Sequence, residues 1–155
     1  MILVIFGPPG AGKGTQAKCI SKKLNIIHLS TGDILRAQLL KKNDLSFKLK
    51  KIIDNGELVS DKILNQIISE RIEENDCKRG FILDGYPRTM PQVFFFNDLL
   101  VKKNLEVNYI FEFSINDQTI INRIIGRAAT EKRGDDSDAT IKTRLRKYYQ
   151  ETKPV

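Results

Sequence analysis

The chain has 155 residues, 41% hydrophobic and 29% charged, a composition that suits one soluble domain with its own core and excludes disordered and fibrous classes. Its formal charge of +7 would suit a polyanionic partner, nucleic acid or nucleoside phosphates alike, although the lysine pairs beginning at 22, 41, 50 and 102 read as solvated faces. Two cysteines outside any C-x-x-C and a single histidine cannot assemble a zinc site, so both thiols are expected to be free, in a reducing compartment.

Ile2–Phe6 is a short continuous apolar run, the pattern of a parallel strand covered on both faces. It lacks a basic leader and is far shorter than the ~20 residues of a membrane span, so a cytosolic protein is expected. Lys13–Leu24 reads as a helix with Ala17, Ile20 and Leu24 on one side, and residues 26–29 as a second strand in which His28 is assigned no role. Ser30-Thr31-Gly32-Asp33 supplies capping residues for a helix through Leu35 and Leu39. A polar stretch from 41 to 60 follows, with a short helix stopped at Asn55-Gly56. Ser60 caps a helix with an apolar face of Ile63, Leu64, Ile67, Ile68 and Ile72. Residues 81–83 form a third strand ending in Asp84, and residues 107–113 a fourth. The helix between them carries Phe94, Phe95 and Phe96, which are expected in the core. Strands separated by helices predict a parallel, right-handed α/β sheet.

The segment GPPGAGKGT, residues 7–15, lies between the first strand and the first helix. Glycines there let backbone N–H groups approach phosphate oxygens, and the helix behind points its positive end at the same anion. Lys13 adds a full charge near the β- and γ-phosphates. Gly14 stands where the usual metal-binding hydroxyl would be, and Thr15 is its natural substitute. Asp84, at the C-terminal end of a parallel strand, faces the ligand crevice and is expected to hold magnesium through water. No N-K-x-D or T-K-x-D tetrapeptide is present, which disfavours a GTPase and points to an acceptor other than water. Arg36, Arg88, Arg123, Arg127, Arg133 and Arg144 form a set too large for one phosphorylated substrate, since each guanidinium can grip phosphate bidentately. Ser137 is positioned to cap a last helix.

The segments GPPGAGKGT (7–15), STGDILR (30–36), NGELV (55–59), GFILDGYPRTMPQ (80–92), RIIGR (123–127) and KRGDD (132–136), followed by RLRKYYQETKPV (144–155), span nearly the whole chain. In content and order they resemble the adenylate kinases, within the nucleoside monophosphate kinase family. The Gly14 form of the loop is that family's own. The resemblance implies a P-loop α/β/α fold with a core of residues 1–29, 60–126 and 136–155, an AMP-binding subdomain at 30–59, and a short lid at 127–135 without a zinc knuckle. It implies reversible, Mg²⁺-dependent transfer from ATP to AMP giving two ADP. The alternatives are a uridylate or cytidylate kinase, a GTP-dependent AMP kinase, or a non-catalytic nucleotide-binding protein.

Residue by residue, the resemblance implies that Gly10, Ala11, Gly12, Lys13, Gly14 and Thr15 hold the ATP phosphates, with Arg123 on the adenine. Thr31, Gly32, Arg36, Gly85, Arg88 and Gln92 would hold AMP, Gln92 through its base, with Glu57, Leu58 and Val59 walling that base. Arg127, Arg133 and Arg144 would close on the transferring group beside Lys13 and Arg88, and Asp33 and Asp84 would fix hydrated magnesium. Asp135 and Asp136 would orient the lid arginines. ATP, AMP and ADP are the implied partners of a cytoplasmic monomer that binds neither nucleic acid nor membrane. Family members continue beyond the TKPV segment with a further strand and helix, so the 155 residues are expected to be the larger part of a longer protein.

Overall fold

The computed structural model describes residues 1–41, 44–131 and 138–155. Four strands, β1 (Ile2–Phe6), β2 (Ile27–Ser30), β3 (Phe81–Asp84) and β4 (Tyr109–Glu112), form one parallel sheet in the order β2-β3-β1-β4. Around it lie α1 (Lys13–Leu24), α2 (Thr31–Leu39), α3 (Asp44–Asp54), α4 (Asp61–Arg71), α5 (Met90–Lys102), α6 (Asp117–Glu131) and α7 (Asp138–Lys147). A π-helical turn, Tyr148–Thr152, extends α7.

The continuous apolar character of β1 and β3 follows from burial on both faces. Ile2, Val4, Phe81 and Leu83 point into the larger core with Leu64 and Ile68 of α4 and Phe96 and Leu100 of α5. The alternate residues Leu3, Ile5 and Ile82 pack on the other side with Ala17 of α1. A third cluster, Ile120, Ile124 and Ile141, joins α6 to α7. Strand β1 is therefore central, and the loop that follows it emerges at the middle of the sheet's C-terminal edge.

Two packing expectations are corrected. Of the three successive phenylalanines on α5, Phe96 is buried and makes an edge-to-face contact with Tyr86 at 5.7 Å, whereas Phe94 is 62% exposed. Successive residues on a helix are about 100° apart, so three in a row cannot share one core-facing stripe. Leu24, expected on the packed side of α1, is also exposed. At the sheet edge, β4 pairs with β1, and Tyr109, Ile110 and Phe111 are exposed. No helix among the described residues is long and apolar enough to cross a membrane.

Candidate active site

The turn after β1 is shaped by its glycines. Gly10 and Gly12 have φ of 78° and 88°, in the left-handed region that favours glycine. A Cβ on Gly10 would fall 2.8 Å from Cγ1 of Ile124, so α6 packs directly against the loop. Helix α1 begins at Lys13 with no side-chain cap, leaving the loop and its backbone N–H groups at the helix's positive end. Lys13 Nζ donates to the carbonyl oxygens of Gly7 and Pro8 at 2.7 and 2.8 Å, folding its charge back over the loop. Arg123, on α6, reaches the same loop, donating to the Ala11 carbonyl oxygen at 3.3 Å.

Gly10, Ala11, Gly12, Lys13, Gly14 and Thr15 line a cavity of about 320 Å³, shared with Asp33, Asp84, Arg88, Arg123 and Arg144. That size matches a ligand pocket, typically about 300 Å³ or more. His28 and Lys18 also line it. His28, which sequence reasoning left without a role, lies 3.2 Å from Asp84 through Nε2 and Oδ2. The residues present fit a hydrated magnesium ion. Asp33 and Asp84 border one cavity, and magnesium is commonly held by one or two carboxylates, substrate phosphates and retained water. Among the described residues no cluster of three or more His, Cys, Asp or Glu could hold a metal by protein groups alone.

A second cavity opens on the other side of Arg88, lined by Thr31, Gly32, Arg36, Glu57, Leu58, Val59, Gly85, Arg88 and Arg144. Thr31 Oγ1 donates to the carbonyl oxygens of Asp84 and Gly85 at 3.2 and 3.0 Å, tying the start of α2 to the end of β3. Arg88 Nε donates back to the Gly85 carbonyl oxygen at 2.7 Å, and Arg36 pairs with Asp33 at 2.6 Å. The cleft, about 80 Å³, lies beside a contact between the turn after α3 and α7. Thr140 Oγ1 donates to the Asp54 carbonyl oxygen at 3.1 Å, and Lys147 pairs with Glu57 at 3.2 Å. A Cβ on Gly56 would fall 2.9 Å from Cγ2 of Thr140.

Gln92, expected on the AMP base, sits behind the Arg88 loop. It is fully buried, its Nε2 donating to Asp61 and its Oε1 accepting the Arg88 backbone N–H. The side chain of Arg127, together with Arg133, Asp135, Asp136 and Ser137, lies outside the described residues. Arg36, Arg88 and Arg144 border both cavities.

Comparison with known proteins matches this architecture. The family model for adenylate kinase covers residues 5–155. The chain belongs to the adenylate kinase family. An adenylate kinase of Chelativorans sp. (strain BNC1) is 44% identical over 161 aligned positions, covering the whole chain and 83% of that relative. Those of Brucella anthropi and Pseudarthrobacter chlorophenolicus are 42% and 40% identical, covering 83% and 80% of the relatives' lengths. The chain is thus a phosphotransferase.

Proposed function

We propose that transfer from ATP to AMP in this enzyme runs across the junction bordered by Arg88 and Arg144, with the donor phosphates over the glycine loop and the acceptor in the narrow cleft. The observation that carries this reading is that three arginines, Arg36, Arg88 and Arg144, line both cavities. Gly10, Ala11, Gly12, Gly14 and Thr15 would cradle the ATP phosphates, with Lys13 leaving its two carbonyl partners to follow them. Thr31, Gly32, Arg36, Gly85, Arg88 and the segment Glu57, Leu58, Val59 would receive AMP, with Arg36 and Arg88 on its phosphate.

The AMP phosphate is already an anionic nucleophile, so the reaction needs no general base. One of its oxygens bonds to the γ-phosphorus as the bond from that phosphorus to the β–γ bridging oxygen breaks, and no proton has to move. Arg88, Arg144 and Lys13 neutralise the charge on the transferring group and hold the two oxygens in line. Magnesium, held through water by Asp33 and Asp84, supplies charge neutralisation at the phosphates when bound. Arg123 would flank the ATP base, and Arg127 and Arg133 would belong to a short lid at 127–135 that excludes water, with residues 30–59 as the AMP-binding subdomain and the rest as core. The enzyme would act on ATP, AMP and ADP as a cytoplasmic monomer.

The test is ADP formation from ATP and AMP with magnesium, followed by phosphorus NMR, with UMP, CMP and GMP as alternative acceptors. Turnover confined to AMP is expected. In the same assay Lys13→Ala should lose about 10³-fold or more in turnover while remaining folded. Equal use of UMP or CMP, or a folded Lys13→Ala enzyme with near-normal turnover, would overturn the reading.

A further inference from the structure

The loop that carries Arg88 is held from behind by one helix. At the start of α4, Oδ1 of Asp61 accepts two hydrogen bonds, from Gln92 Nε2 at 2.6 Å and from Thr89 Oγ1 at 3.1 Å. Gln92 Oε1 in turn accepts the backbone N–H of Arg88 at 2.7 Å. One turn along α4, Asn65 Oδ1 accepts the Tyr86 hydroxyl at 2.7 Å. Residues 86, 88 and 89 are therefore all anchored, directly or through Gln92, to positions i and i+4 of α4.

The chemistry of this chain admits one arrangement of the amide. A carboxylate only accepts hydrogen bonds and a backbone N–H only donates, so the NH₂ of Gln92 must face Asp61 and its oxygen must face Arg88. Without the Asp61 oxygen, the buried NH₂ loses its partner, and a flipped amide would set a donor against the Arg88 N–H. We infer that Asp61 is a positioning residue for Arg88, acting through the Gln92 amide to fix the guanidinium at the junction of the two cavities. This rests on the assignment of Arg88 to the AMP phosphate and names a residue, outside both cavities, on which that assignment depends.

Because both bonds reach the same oxygen of Asp61, asparagine can supply it, whereas alanine cannot and serine is one atom too short. Asp61→Ala should raise the AMP KM and the AMP dissociation constant roughly tenfold and leave the ATP KM within about twofold. Asp61→Ser, which retains a residue well suited to a helix start, should behave alike and covers the case in which the alanine variant fails to fold. Asp61→Asn should restore AMP binding to within about threefold. In an Arg88→Ala background, the Asp61→Ala and Asp61→Ser effects on AMP binding should shrink to less than about twofold, since the group being positioned is gone. Equal rises in the two KM values, failure of asparagine to rescue, or a full tenfold effect without Arg88 would each overturn the inference. Arg88→Ala alone distinguishes the two levels. If it leaves AMP binding unchanged, the assignment of Arg88 fails; if it weakens AMP binding while Asp61→Ala and Asp61→Ser do not, only the role of Asp61 fails.

Discussion

Nε2 of His28 lies 3.2 Å from Oδ2 of Asp84, with the two side chains only 11% and 12% exposed at the wall of the loop cavity. The register of the sheet brings them together. His28 pairs with Ile82 across β2 and β3, and Asp84, two residues further on, projects on the same side as Ile82. Asp84→Asn removes the carboxylate charge yet keeps an oxygen that can accept from the imidazole. The expected result is a fall in turnover of about 100-fold or more, partly recovered by raising magnesium, with the unfolding midpoint of the nucleotide-free protein shifted by only a few degrees. A magnesium titration of ADP formation, run beside thermal unfolding, checks both halves; an unchanged magnesium requirement would exclude Asp84 from the metal's surroundings.

Gly85 couples the acceptor cleft to the end of β3. Its φ is 85°, and a Cβ there would fall 2.6 Å from Thr31 Oγ1 and 2.7 Å from an Arg88 guanidinium nitrogen. Gly85→Ala must therefore strain the backbone and displace two residues assigned to AMP. Stability should drop by about 1 to 3 kcal/mol and the AMP KM should rise more than tenfold, with the ATP KM little changed. Denaturant unfolding and paired KM measurements decide the matter, and equal loss for both substrates would show that the damage is not local to the cleft.

The parts of the site legible in the sequence are those built from contiguous residues. The glycine loop, Lys13 and the Asp84–Arg88 turn each follow a strand directly, so strand, turn and helix signals locate them without tertiary information. His28–Asp84 and Asp61–Gln92 are different in kind. They join residues 56 and 31 positions apart, and depend on sheet register and on how α4 lies beside α5. The same distinction explains α5, where composition marked three phenylalanines as apolar but only the helix's rotation decides that Phe96 enters the core and Phe94 does not. Thr140, bonded to the Asp54 carbonyl oxygen across 86 residues, carried no local signal at all.

The two thiols should differ sharply in reactivity. Cys19 is exposed on α1, whereas Cys77 is buried, donates to the Arg71 carbonyl oxygen at 3.3 Å, and has its thiol pushed up to about 11 by burial. The thiolate is the reactive form, so raising this value keeps Cys77 protonated and inert at pH 8, while alkaline conditions approaching pH 11 release it. A maleimide or disulfide reagent at pH 8 should modify one thiol per native chain and two after unfolding in denaturant. Rapid modification of both in the native protein would contradict the burial of Cys77.

The acceptor cleft lies beside a contact between the turn after α3 and α7. With the Lys147–Glu57 pair at 3.2 Å and the Thr140–Asp54 bond in place, the cleft offers about 80 Å³, well below a ligand pocket of about 300 Å³. The expectation is that AMP entry parts this contact, and that whatever weakens it raises the fraction of chains ready to bind. The ion pair is partly exposed, with Lys147 also held by Glu151 at 2.8 Å, so its contribution is at most about 1 kcal/mol. Lys147→Met should then speed AMP association in stopped-flow by up to about fivefold at low salt. The difference should largely vanish near 1 M salt, where screening acts over roughly 3 Å. If Lys147→Met instead slows association at every ionic strength, Lys147 serves AMP directly and the docked turn does not limit its entry.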